Sequence, residues 1–184
     1  MKSFQILLTV ALFGLLGSAM AEDALKPKPV TRQGFEVIGV QARTSIAKES
    51  SDSGVIPQLW KRFYTDGIND KIAGKVGDSI ISLYTDFSGD DANREYTVVL
   101  GTEVKRGAKP PQGMVAVHVP AGKYLEFATE KGSLNETVPK LWRQITEYFK
   151  RPGAPRRAFT TDYEVYEADM EPQSAIGKIY VSVK

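Results

Sequence analysis

The chain has 184 residues, with 24 Lys and Arg against 22 Asp and Glu, one His and no Cys. The missing thiols exclude disulfides, thiolate metal sites, iron–sulfur clusters and a Cys nucleophile, and a single His excludes a multi-His metal site. A formal charge of +2 is too balanced for a dedicated DNA-binding protein, and the length suits one or two small domains.

The first segment is an address. Met1-Lys2-Ser3 is positive, Ile6 to Leu16 is apolar apart from Thr9 and Gly14, and Ala19-Met20-Ala21 offers small residues where a signal peptidase reads. This pattern predicts a secretory signal peptide over 1–21, too short for a stable membrane anchor. No Cys follows, so no lipoprotein anchor is expected. The expected product is a bacterial protein of 163 residues (184 − 21), periplasmic or secreted. Residues 22–33, with Pro27 and Pro29, read as an extended lead-in.

From residue 34 the pattern repeats. Phe35–Arg43 reads as a strand, Ile56–Phe63 as a helix, and Ser79–Phe87 and Tyr96–Val104 as two further strands. Met114–Val119 and Lys123–Thr129 then read as strands, Val138–Ile145 as a helix, and Thr160–Ala168 and Lys178–Val183 as closing strands. The helices are related: Ile56-Pro57-Gln58-Leu59-Trp60 matches Val138-Pro139-Lys140-Leu141-Trp142 at an offset of 82 residues. Each proline is expected near its helix start, where the missing N–H costs nothing. Ser133 and Glu136 suit a capping box, and Arg151-Pro152-Gly153 a helix stop. Gly89-Asp90-Asp91 and Pro172-Gln173-Ser174 should turn the closing hairpins.

The domain therefore spans 34–184 in two halves, about 34–106 and 112–184, each strand-helix-strand-strand. The expected fold is α+β: a curved antiparallel sheet with two main helices on one face and a groove on the other, at the pseudo-twofold axis. Alternation places Ile81, Leu83, Thr85 and Phe87 on one face of the Ser79–Phe87 strand, and Ser82, Tyr84 and Asp86 on the other. On the matching Thr160–Ala168 strand Tyr163, Val165 and Glu167 share one face, and Asp162, Glu164 and Tyr166 the other. If the more apolar sets pack on the helices, Tyr84, Tyr166 and Glu164 line the groove. A carboxylate among aromatic rings suits a lipophilic cation, or, with its pKa raised by burial, general acid–base work. The plain alternative is a wet sheet face with Glu164 as a surface charge. Trp60 and Trp142 lie on apolar helix stripes and either fill the core or reach the groove. His118, in an apolar strand, reads as structural. No metal site and no cofactor is expected.

The duplicated halves, the Leu59-Trp60 and Leu141-Trp142 helices, Val119-Pro120-Ala121-Gly122-Lys123-Tyr124 before a strand holding Phe127, and the ending Asp162-Tyr163-Glu164-Val165-Tyr166 … Ile179-Tyr180-Val181-Ser182-Val183 resemble the GyrI-like small-molecule-binding superfamily, also called the AraC-type effector-binding domain. The resemblance covers about 34–184. It implies a central groove for hydrophobic, often cationic compounds, and Glu164 with Tyr166 matches the family's ligand-site glutamate. It also implies a second possibility, a hydrolase of reactive cyclopropanoid compounds using that glutamate. The family's gyrase-inhibitor and DNA-bound sensor roles do not fit an exported chain without a helix-turn-helix pattern. The sequence thus predicts a periplasmic binding protein whose partner is a small molecule, with no nucleic acid and no membrane anchor after signal cleavage. The alternatives are that hydrolase, with Glu164 catalytic, or a non-catalytic envelope interaction protein.

Overall fold

The computed structural model describes residues 25–90 and 93–184. The expected signal segment, 1–21, and Asp91 of the expected first turn lie outside the described residues. The strands are β1 (Lys28–Arg32), β2 (Phe35–Ser45), β3 (Lys75–Ser88), β4 (Glu95–Val104), β5 (Val115–Val119), β6 (Gly122–Ala128), β7 (Thr161–Tyr166) and β8 (Lys178–Val183). The helices are α1 (Ile46–Glu49), α2 (Ile56–Thr65), α3 (Ile68–Lys71) and α4 (Leu134–Lys150). Among the described residues no helix is long and apolar enough to cross a membrane.

The strands form one antiparallel sheet in the order β1-β6-β8-β7-β3-β4-β2-β5. The order reads the same from both ends once each first-half strand is matched to its second-half mate. The pseudo-twofold axis therefore passes between β3 and β7. The lead-in is part of this symmetry: its residues Lys28–Arg32 pair with β6, as β5 pairs with β2. Each half thus gives its first strand to the edge of the other. On edge strand β5, the exposed His118 side chain has its Nδ1 2.8 Å from Glu36 Oε1 on β2.

Both main helices form on amphipathic stripes. Helix α2 buries Leu59 and Phe63 against Ile38, Val40, Val98 and Leu100. Helix α4 buries Val138, Leu141 and Ile145 against Leu125, Phe127, Ile179 and Val181. Burying each such side chain is worth roughly 1.5–3 kcal/mol. The two cores are separate, which leaves the strip of sheet between them, over β3 and β7, to the helices' facing edges.

Two helix details differ from expectation. Pro57 does sit in the first turn of α2, but α4 starts earlier, at Leu134, so Pro139 lies inside it. The i→i−4 bond that residue 139 would donate is lost there. Ser133 is the N-cap residue of α4, yet its side chain makes no capping bond; its carbonyl accepts from Glu136 and Thr137 N–H instead. Helix α2 is capped from outside. The Glu49 carboxylate accepts the N–H of Val55 at 2.9 Å and of Ile56 at 3.3 Å, and a bond from the Thr44 hydroxyl. That carboxylate at a helix N-terminus complements the dipole and fixes where α2 begins.

The helix-free face is where the expected arrangement fails. Ile81, Leu83 and Tyr163 do not pack on the helices; with Val37, Val99, Tyr124 and Tyr180 they form a third core on the opposite face. The sheet curls tightly enough to bury them. The Phe35 ring on β2 lies 5.4 Å from Tyr163 on β7, three strands away, where a flat sheet would place the strands roughly 14 Å apart. The paired glycines Gly39 and Gly101 permit this close approach: a Cβ on either would overlap the partner strand's backbone carbonyl, of Leu100 or Ile38. The concave face is thus filled, and the set containing Tyr84, Glu164 and Tyr166 is turned to the helix side.

Candidate ligand-binding site between the helices

Glu164 on β7 stands directly opposite Ser82 on β3, at the pseudo-twofold axis. Both are buried, at 3% and 0% exposure. Two residues further along each strand, on the same face, come Tyr166 and Tyr84. Helix α2 brings Trp60 to the edge of the Tyr166 ring, with centroids 5.2 Å apart, and α4 brings Trp142 to the edge of Tyr84, at 5.3 Å. Tyr84, Glu164, Tyr166, Trp60 and Trp142 therefore come together, on the helix-bearing face rather than the helix-free one. The two Trp side chains both meet the site and complete the cores beneath their helices.

The carboxylate is held by three neutral donors. Trp142 Nε1–H donates to Glu164 Oε1 at 2.5 Å, the Tyr84 hydroxyl donates to the same oxygen at 2.8 Å, and the Tyr166 hydroxyl donates to Oε2 at 2.7 Å. Ser82 Oγ donates to the Tyr84 hydroxyl oxygen at 3.2 Å, which directs the tyrosine's own proton to the acid. Among the described residues no Lys, Arg or His forms a salt bridge with Glu164.

Burial sets the electrostatics. It raises the Glu164 carboxyl above its ordinary value, and the polar side chains of Trp142, Tyr166, Tyr84 and Ser82 beside it only partly offset this. Burial, then the neighbouring Glu164 charge, pushes the Tyr84 and Tyr166 hydroxyls well above the ordinary phenol range. Both therefore stay protonated and remain donors.

Sequence reasoning missed three contributors. Tyr96 on β4 lies against Tyr84 at 5.8 Å, and Tyr64, 65% exposed, stacks on Trp60 at 5.8 Å and 24°. Both extend the aromatic wall. Ser82 is the third, and the repeat could have found it, since it precedes Glu164 by the same 82 residues that separate Trp60 from Trp142. The strands' alternation held through Tyr84 but not beyond. A bulge with Asp86 at φ 51° swings Phe87, expected on the face of Ile81, over to Tyr96 and Phe159.

A GyrI-like small-molecule-binding-domain model matches residues 25–184. The chain belongs to this family. The match begins at residue 25 and takes in β1, in keeping with that strand's place in the sheet. YobU of Bacillus subtilis, described as a candidate transcriptional regulator, is 31% identical over 148 residues, covering 79% of this chain and 90% of YobU. The transcriptional regulator BrlR of Pseudomonas aeruginosa is 29% identical over 158 residues, 84% of this chain, and the matched part is 54% of BrlR. An integron cassette protein from the mobile metagenome of Vibrio cholerae has the same fold, with a TM-score of 0.68 and 27% identity, over 86% of this chain and 95% of its own. SAV2435, solved bound to tetraphenylphosphonium, has a TM-score of 0.66 at 16% identity, over 87% of this chain and 94% of its own.

Proposed function

We propose that this small-molecule-binding domain takes a hydrophobic organic cation, with Glu164 as its counter-charge and Trp60, Trp142, Tyr84 and Tyr166 as its walls. The observation that carries this reading is the buried Glu164 carboxylate with three neutral donors and, among the described residues, no salt-bridge partner. A buried charge without an opposite charge is costly, and a ligand cation supplies what no described residue does. Aromatic faces attract a delocalised cation through the ring quadrupole, and a flat or bulky apolar surround gains from burial. The tetraphenylphosphonium complex of SAV2435 supports the same ligand class on the same fold. To reach the carboxylate, the ligand displaces Trp142 from Glu164.

Titration of the protein over residues 22–184 with tetraphenylphosphonium, followed by Trp fluorescence, tests the reading. Saturable quenching that Glu164→Gln weakens by about tenfold or more supports it. Binding indifferent to that substitution overturns it.

A second reading rests on the same carboxylate. Its raised pKa, beside tyrosine hydroxyls at 2.7 and 2.8 Å, suits general acid–base hydrolysis of a strained electrophile. Turnover of a cyclopropane-containing substrate, lost in Glu164→Gln, would favour it over simple binding.

Export to the bacterial periplasm or medium is part of the proposal, supported by the apolar run Ile6–Leu16 and the Ala19-Met20-Ala21 site. Cell fractionation with N-terminal sequencing checks it: a mature chain starting at Glu22 is expected, and an intact cytoplasmic chain counts against it.

A further inference from the structure

The centre of the site is built twice, with one exception, while Tyr64 and Tyr96 extend it from the first half alone. Trp60 and Trp142, Tyr84 and Tyr166, and Ser82 and Glu164 are each 82 residues apart. The ring contacts obey the same symmetry: Trp60 meets Tyr166 at 5.2 Å and 86°, and Trp142 meets Tyr84 at 5.3 Å and 72°. Ser82 and Glu164 are register partners across the axis itself. The four central rings are thus arranged twofold, and the polarity at the axis comes from one position pair.

The consequence is visible in the two indoles. Trp142 donates to Glu164. Trp60 finds no acidic mate at position 82, and among the described residues its indole nitrogen makes no hydrogen bond. Ser82 is wholly buried and turns its hydroxyl to Tyr84 instead.

We propose that Ser82 is a specificity-determining residue: as the uncharged mate of Glu164 among the four twofold-related rings, it restricts the site to ligands that present a single positive charge. The residues at 82 and 164 together set how many charges are read and from which side. A carboxylate at position 82 would be equivalent to the one at 164, reached by Trp60 and both tyrosines. Carboxylates at both positions would stand opposite each other across an antiparallel pair, with Cβ atoms about 4.5–5.5 Å apart. There they repel, and a dication relieves them. The inference rests on the ligand reading above for its consequences in binding, but the equivalence of the two positions has its own readout.

The test uses the protein over residues 22–184 with three substitutions: Glu164→Ser, Ser82→Glu, and the double exchange Ser82→Glu with Glu164→Ser. Indole N–H resonances are followed by NMR with 15N-labelled Trp, and binding is measured for tetraphenylphosphonium and for an alkane-linked bis-triphenylphosphonium. In the wild type the Trp142 indole resonance is expected downfield and slow to exchange. In the double exchange this signature passes to Trp60. Glu164→Ser loses tetraphenylphosphonium binding by about tenfold or more, and the double exchange restores it to within about threefold of wild type. Ser82→Glu alone shifts preference toward the bis-cation by about tenfold. A folded double exchange in which the Trp60 resonance stays in place, or in which binding is not restored, overturns the proposal. If the wild type binds neither cation but the indole signature still moves, the ligand reading fails while the twofold equivalence stands. Should the double exchange not fold, Ser82→Gln adds an acceptor without charge. It gains a second hydrogen-bonded indole if the proposal holds, and a Trp60 resonance unchanged in that variant overturns it.

Discussion

Trp142 Nε1 lies 2.5 Å from Glu164 Oε1, so the middle of helix α4 is tied to the centre of the sheet through a buried acid that forms no salt bridge among the described residues. The bond has two effects that oppose each other. It lowers the cost of the buried charge, and it places a side chain where the ligand's positive group would sit.

Glu164→Gln should stabilise the fold at neutral pH. Desolvation is the largest influence on this carboxyl and raises it above 4.5, outweighing its hydrogen bonds. A group raised on folding contributes its stability in full below the unfolded value. That contribution is lost as pH climbs through the folded value. The wild type should therefore weaken over that window relative to the variant, whose amide does not titrate. The Tyr166 hydroxyl can turn to accept from the new amide. The expected gain at pH 7 is about 1 kcal/mol, or roughly 2–4 °C in Tm. Thermal melts of both proteins from pH 4 to 8 check it, and a variant no more stable at pH 7 contradicts it.

The two tryptophans should differ despite their symmetric places. Trp142→Phe removes a donor from an ionised carboxylate and should cost about 1–3 kcal/mol. Trp60→Phe loses no hydrogen bond among the described residues and keeps an aromatic edge near Tyr166, so it should cost under about 1 kcal/mol. Urea denaturation of both variants distinguishes them; equal losses would mean that the Glu164 bond contributes nothing.

Much of this was readable in the sequence. The repeat offset placed both helices, and alternation correctly grouped Tyr84, Glu164 and Tyr166 on one face. What it could not supply was which face. Ile81, Leu83 and Tyr163 are the more apolar set, which alternation alone assigns to the helices, leaving the helix-free face to a groove or to water. The curl overrides that assignment, since a concave face can bury apolar residues against one another. The lead-in was hidden for another reason. Pro29 and the flanking Lys28 and Arg32 are poor strand residues, yet they suit an edge, where an unpaired side needs blunting. Its mate, Met114–Val119, carries the alternating valines that the lead-in lacks, so the pattern shows one strand of the pair and not the other.

Gly39→Ala and Gly101→Ala test the curl. Either methyl would overlap a carbonyl oxygen of the neighbouring strand, a backbone atom that cannot rotate away. Each should cost about 1–3 kcal/mol or more, as overpacking does. The loosened curl should also expose the third core, so binding of a hydrophobic dye should rise. Unaltered melting temperatures would show that the strands have slack at this crossing.

Arg157 and Asp162 form a second buried polar unit at the end of β7. Asp162, wholly buried, pairs with Arg157 and accepts from Ser182 N–H at 2.8 Å and Ser182 Oγ at 3.0 Å. The guanidinium lies 4.3 Å from the Phe159 ring centre. Arg157→Met leaves the acid without its cation and should cost about 3–5 kcal/mol at neutral pH. Burial already raises the Asp162 carboxyl, and losing the cation raises it further, so the penalty should shrink as acid neutralises it. Melts at pH 5 and 7 measure the difference; a penalty independent of pH would assign the loss to ring packing instead.

Cation binding should release protons. Burial keeps part of the Glu164 population protonated as pH approaches its raised value from above, whereas a bound cation favours the ionised form. Affinity should therefore rise with pH below the free protein's value and level off above it, with up to one proton released per ligand inside that window. Calorimetric titration with tetraphenylphosphonium in buffers of different ionisation enthalpy reads the proton count directly. Zero release throughout the acid range, with affinity flat, would mean that the ligand's charge is not answered by this carboxylate.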